Sequence, residues 1–176
     1  DLIPFANNRY ININGKKCRN IFFYQEEFEE KADKLPVKEF CLLHGDCTFS
    51  NLILRKNGNP VMIDPRGYFG YTELYGDPAY DWAKLYYSIA GNYDQFNAGN
   101  FRLEITENNI NIKIVSNGWE DMEEEFFNIL GSRIEKWQIK FIHAIIWLSL
   151  TTYAWDDYDS VCGAFYNGLF YLEEVL

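Results

Sequence analysis

Apolar and polar residues alternate along this chain with two different periods, and the points where the period changes mark out its elements. Over residues 20–35, Ile21, Phe22, Phe28 and Ala32 are interleaved with Glu26, Glu27, Glu29, Glu30 and Lys31, and Pro36 follows. That spacing predicts a charged first helix closed by the proline. Residues 40–44 are short and apolar, as are 51–55 and 60–64, and Lys56-Asn57-Gly58-Asn59 joins the last two. These read as three short strands, the second and third forming a hairpin. After Pro78, Trp82, Leu85, Tyr86 and Ile89 recur at helical spacing, with Gly91 as a C-cap.

Strict alternation returns at residues 101–105 and 110–114, separated by Glu-Asn-Asn, and predicts a second hairpin with one apolar face. Helical patterns cover residues 120–130, 133–153 and 160–176. No repeat, low-complexity linker or alternating βαβ series appears. The expectation is a single α+β domain over residues 1–176, mostly helical, with two inserted hairpins.

Composition sharpens this picture in two ways. The chain has 176 residues, 48% of them hydrophobic and 18% aromatic, enough for a core built on large rings without disulfide staples. Its formal net charge of −10 opposes a nucleic-acid backbone or an anionic membrane surface, and favours neutral or cationic small ligands. Cys18, Cys41, Cys47 and Cys162 show neither Cys-x-x-Cys pairing nor a His at metal spacing, and read as free thiols. The longest apolar run, near residues 142–150, contains His143 and falls short of the roughly 18 residues a membrane span needs. With no signal-peptide pattern, the expected location is the cytoplasm; a start at Asp1 without Met suggests an excised piece.

The chemistry is concentrated in His44-Gly-Asp46-Cys-Thr-Phe-Ser-Asn51, followed by Met62-Ile-Asp64-Pro-Arg66-Gly67. Phosphoryl transfer needs a group that orients or deprotonates the attacking hydroxyl, and oxygen ligands that hold magnesium on the ATP phosphates. An Asp, an Asn five residues on, and a second Asp beyond the hairpin are of that kind. Each alone is weak evidence; the ordered set is specific.

In that order the residues resemble the catalytic loop and metal-binding segment of the aminoglycoside phosphotransferase and choline kinase superfamily, small-molecule kinases with a protein-kinase-like fold. The resemblance implies Asp46 as catalytic base, Asn51 and Asp64 as ligands of Mg2+ on bound ATP, and His44 as a brace of the loop. Gly76-Asp77-Pro-Ala-Tyr-Asp81 resembles the family's next segment, which implies that Asp81 ties down the catalytic loop. Arg66 is placed either to contact a phosphate or substrate anion or to pair with a carboxylate of its own loop, and the sequence leaves both open. Cys47 lacks the partner a nucleophile needs and reads as packing.

Tyr153, Trp155, Asp156, Asp157 and Asp159 form an aromatic and acidic cluster. The family's habit of holding substrate on its C-terminal helices implies an ammonium site there, while the residues themselves favour a solvated helix cap. His143 reads as a core residue.

The resemblance covers nearly the whole chain but only the C-terminal lobe of the family's fold. No Gly-rich phosphate loop, strand Lys or helix Glu is found, and the stretch ahead of His44 is too short for a nucleotide lobe. The expected parent enzyme is an ATP- and Mg-dependent phosphotransferase acting on a hydroxyl of a small sugar, amino sugar or amino alcohol. Its N-terminal lobe would be absent here and supplied by an upstream domain of the same polypeptide, leaving this lobe inactive alone. A non-catalytic ligand- or partner-binding module is the alternative. A protein kinase fits less well, because no Ala-Pro-Glu segment follows Asp64.

Overall fold

The computed structural model describes residues 3–107, 109–154 and 157–176, and they form an α+β fold in which helices predominate. The chain opens with a hairpin that the expected elements did not include. Strands β1 (Tyr10–Ile13) and β2 (Lys16–Arg19) pair antiparallel through Asn14 and Gly15, whose φ angles of 48° and 79° suit a two-residue hairpin turn. Its signal was present in the sequence: Asn-Gly flanked by Ile11, Ile13 and Cys18, all of which are buried.

The charged first helix starts later than the pattern suggested. Residues 21–23 make a 3-10 turn, and α1 spans Gln25–Asp33. It lays Phe28 and Ala32 against a small core of Tyr24, Phe141, Ala144 and Leu172.

Short strands then frame the middle of the chain. They are β3 (Cys41–Leu42), β4 (Leu52–Leu54), β5 (Pro60–Met62) and β6 (Tyr75–Gly76). β4 pairs antiparallel with β5 and β3 with β6. Helix α2 (Ala79–Ile89) follows, then the five-residue α3 (Tyr93–Asn97), which periodicity was too brief to reveal.

α2 is capped by Ala90 rather than by Gly91. Gly91 serves close packing instead: a Cβ there would stand 2.5 Å from the Tyr87 carbonyl and 2.9 Å from His143 Nε2.

Strands β7 (Phe101–Ile105) and β8 (Asn109–Ile114) pair antiparallel, and β8 pairs parallel with β1. The resulting four-stranded sheet runs β2-β1-β8-β7, so the later hairpin is an integral half of a sheet begun at the N-terminus. Ile11, Ile13, Ile110 and Ile112 line its buried face, as period-two alternation requires.

Helices α4 (Glu123–Leu130), α5 (Lys136–Leu150) and α6 (Tyr158–Leu172) complete the fold. The main core joins that sheet face to α2, α4, α5 and α6. At its centre the fully buried Trp147 packs against Tyr87 and Phe96, and its indole N–H donates to His143 Nε2 at 3.0 Å. His143 is thus a satisfied core side chain. Among the described residues no helix is long and apolar enough to cross a membrane.

Candidate active site

The loop between β3 and β4 carries the first motif, and α2 fixes its path. Both oxygens of the Asp81 carboxylate accept backbone N–H groups, from His44 and from Gly45, each at 2.8 Å. Two charge-assisted bonds to adjacent amides set loop position and direction together. Gly45 has φ 79°, and a Cβ there would lie 2.8 Å from Arg66 Cβ, so this loop and the segment after β5 close up only over a glycine. Two further side chains hold the far end of the loop: Ser88 Oγ accepts from Phe49 N at 3.0 Å, and Asp94 Oδ1 accepts from Ser50 N at 2.7 Å.

Asp46 stands on this fixed loop with its carboxylate partly open to solvent. Asn51 Nδ2 donates to the Asp46 backbone carbonyl and to its Oδ2, both at 2.9 Å. Lys84 Nζ lies 3.0 Å from Oδ1. The His44 ring turns back into the loop, where Nδ1 accepts from Asp46 N at 3.3 Å. Its Nε2 is buried without a hydrogen-bond partner among the described residues.

The second motif is stitched to the first by backbone. Ile63 N donates to Asn51 O at 2.9 Å, and Arg66 N donates to His44 O at 2.8 Å. Between these two ties Asp64 is exposed and takes φ 56°, a left-handed conformation that costs a non-glycine residue roughly 1 kcal/mol or more. Such strain persists only where its neighbours impose it, as both flanking hydrogen bonds do here. The oxygen chemistry suits a hard divalent cation. With its amide nitrogen committed to Asp46, Asn51 presents its Oδ1 carbonyl, and Asp64 presents a carboxylate.

Arg66 pairs with neither a loop carboxylate nor any other acidic group among the described residues. Its guanidinium donates to Tyr80 Oη at 3.1 Å and to Tyr153 Oη at 2.9 Å. Burial raises the Tyr80 hydroxyl pKa, Arg66 pulls it back, and Asp46 and Tyr153 add to the rise. Tyr80 therefore stays a neutral phenol near Asp46.

Cys47 is buried against Met62 Sδ at 3.5 Å. Burial first, then the Asp81 carboxylate, pushes its thiol up to about 12, so it remains protonated packing rather than a nucleophile.

The C-terminal acidic cluster divides differently. Asp157 is the N-cap of α6, accepting from Ser160 N at 3.1 Å and from the Ser160 hydroxyl. That role commits one of its oxygens to the helix. Trp155 and Asp156 lie outside the described residues.

The roomier surface hollows, of about 470 and about 570 Å³, lie along α1 and include neither Asp46 nor Asp64. The two motifs form an open shelf.

Comparison with known families covers the same stretch of chain. A model described as the phosphotransferase enzyme family matches residues 6–109, well over half of the chain and all of both motifs. The chain belongs to this phosphotransferase family. Two curated relatives, the chloroplastic protein-ribulosamine 3-kinases of Arabidopsis thaliana and of Oryza sativa subsp. japonica, are each 49% identical to it over 37 residues. That stretch is 21% of this chain and 11% of either relative, so the likeness is local. No solved structure matches the chain.

Within the family setting, sequence reasoning missed Lys84, Ser88 and Asp94. A signal for the first two was present: Asp81, Lys84 and Ser88 recur at i, i+3 and i+7, a polar line along an otherwise apolar helix.

Proposed function

We propose that this chain is the catalytic half of an ATP- and magnesium-dependent small-molecule kinase, with Asp46 as the base that accepts the acceptor hydroxyl's proton. The observation that carries the reading is the Asn51 amide nitrogen, which grips Asp46 at carbonyl and carboxylate together and leaves the Asn51 oxygen out of that contact. Asn51 and Asp64 would hold magnesium, which when bound neutralises charge on the ATP phosphates. His44 and Asp81 keep the loop from moving as the proton transfers, and rigidity of this kind is what general-base geometry demands.

A sugar, amino sugar or amino alcohol is the proposed acceptor. The ribulosamine named for the two plant relatives supports the sugar side of that range, and the net charge of −10 favours neutral or cationic acceptors. The phenols of Tyr80 and Tyr153 and the Arg66 guanidinium that joins them are candidate acceptor contacts, and Asp157, Trp155 and Asp156 stay candidates on the sequence resemblance alone.

The C-terminal lobe of a kinase-like fold is the reading that suits the surface. Ile53 and Leu54 are neighbours on β4 and so point to opposite faces, yet both are exposed, as are Leu42, Met62 and Tyr71. A two-stranded hairpin that is apolar and bare on both faces is marginal by itself and invites a covering partner. An upstream nucleotide-binding domain of the same polypeptide is the proposed cover. The isolated chain is then expected to turn over poorly, because the remaining phosphate contacts belong to that domain.

The test is ADP release by the full polypeptide with magnesium and a panel of sugars and amino alcohols. Acceptor-dependent release should fall about a hundredfold or more in Asp46→Asn. Absence of release with every acceptor would overturn the assignment.

A further inference from the structure

Lys84 has no place in the motifs, yet it is the cation paired with Asp46. Its side chain is only 13% exposed, with Nζ 3.0 Å from Asp46 Oδ1. The ammonium also lies 5.4 Å from the Tyr87 ring centroid and 5.6 Å from that of Tyr93. Those two rings are themselves stacked at 4.2 Å, so the ammonium sits beside an aromatic pair as well as against the carboxylate. A lysine this sheltered is costly to keep charged without a partner, and the ion pair with Asp46 is the one found for it among the described residues.

Taken with Asn51, the geometry is complementary: Lys84 takes Oδ1, Asn51 takes Oδ2, and the plane of the carboxylate is fixed. Each oxygen keeps a lone pair, so the group can still accept a proton. Lys84 reaches Asp46 from α2, one turn beyond the Asp81 that grips the loop backbone. One helix therefore sets both the height of the loop and the rotamer of its carboxylate.

We infer that Lys84 is a positioning residue for the base, holding the Asp46 carboxylate at a fixed angle to the incoming hydroxyl from beside the stacked Tyr87 and Tyr93 rings. The inference rests on the reading of Asp46 as base. A carboxylate free to rotate would still bind magnesium nucleotide and acceptor through other groups, but would seldom meet the hydroxyl in line; misplacement by about 1 Å is enough for a loss of order a hundredfold.

Two measurements separate this from a purely structural ion pair. In the full polypeptide, Lys84→Met should lower kcat about a hundredfold with acceptor KM within about twofold, and Lys84→Arg should recover part of the loss. In this chain by itself, thermal midpoints of Lys84→Met, Asp46→Asn and the double variant should be non-additive, the double variant being more stable than Asp46→Asn because it no longer buries an unpaired ammonium. A kcat for Lys84→Met within threefold of the parent, in a protein whose Asp46→Asn variant is inactive, would overturn the positioning role while leaving the base intact. A wild-type protein without turnover would overturn the base and this role together, whatever the thermal midpoints show. Additive midpoints would show that the ion pair itself does not form in solution.

Discussion

At the scale of single residues, the site and the core use burial to opposite ends. Asp46 stays partly open, whereas His143 is enclosed, and burial followed by the charge of Lys140 drives its imidazole down to about 3 from 6.5. In the unfolded chain that imidazole takes up a proton near its ordinary value, so below it the unfolded state binds more protons than the folded one. Stability is fully present above about pH 6.5 and is lost as pH falls toward 3, by up to about 1.4 kcal/mol per pH unit from this group. Denaturant midpoints between pH 7 and 4 should show that slope, and His143→Gln, which can still accept from Trp147, should flatten it. An unchanged slope in the variant would place the acid sensitivity elsewhere.

The residues legible in sequence were those whose chemistry is local. Asp46, Asn51 and Asp64 announce themselves by order and spacing, and His143 by its apolar neighbours. Lys84 was legible only as one of a polar line on α2, and because a lysine on a helix usually belongs to a solvated face, only the fold shows that this one turns inward beneath the loop.

At the scale of elements, α2 is the organiser of the site. Asp81, Lys84 and Ser88 leave it along one line and meet the β3–β4 loop at backbone, carboxylate and backbone again. Asp81→Asn should cost about 1 to 3 kcal/mol, since one of two charged acceptors becomes an amide facing an N–H. Hydrogen exchange should then quicken at His44 and Gly45 before it does in α5; uniform quickening would mean that Asp81 supports the fold at large rather than the loop. The helix itself was readable from Trp82, Leu85, Tyr86 and Ile89, whose spacing needs no tertiary information. The first hairpin was readable too, through Asn14-Gly15, but its polar Lys16, Lys17 and Arg19 obscured the alternation on β2. α3 is a case where too few residues exist for any period to show.

At the scale of the whole molecule, the contrast is between a sealed aromatic core and a bare apolar rim around the shelf. Trp147, Phe141 and Tyr166 are fully enclosed, while Leu42, Leu54 and Tyr71 are not. If an upstream domain covers that rim, the chain alone should bind a hydrophobic dye such as ANS, and the full polypeptide should bind markedly less per molecule. Equal binding would argue against the covering domain. Sequence could not foresee the rim, because an exposed apolar strand and a buried one are written with the same residues.

The four-stranded sheet has a consequence for how the chain is made. β1 meets β8 across the sheet's centre, and the Asn12 side-chain amide donates to Asn109, 97 positions later. The first hairpin leaves the ribosome with its β1 edge unpaired and must keep it so until β8 has been synthesised. Loop closure over that distance comes late and carries a higher entropic cost than any local turn. During that interval the edge is open to pairing with other chains, and Lys16, Lys17 and Arg19 on the outer strand give the nascent hairpin a positive charge that keeps copies of it apart.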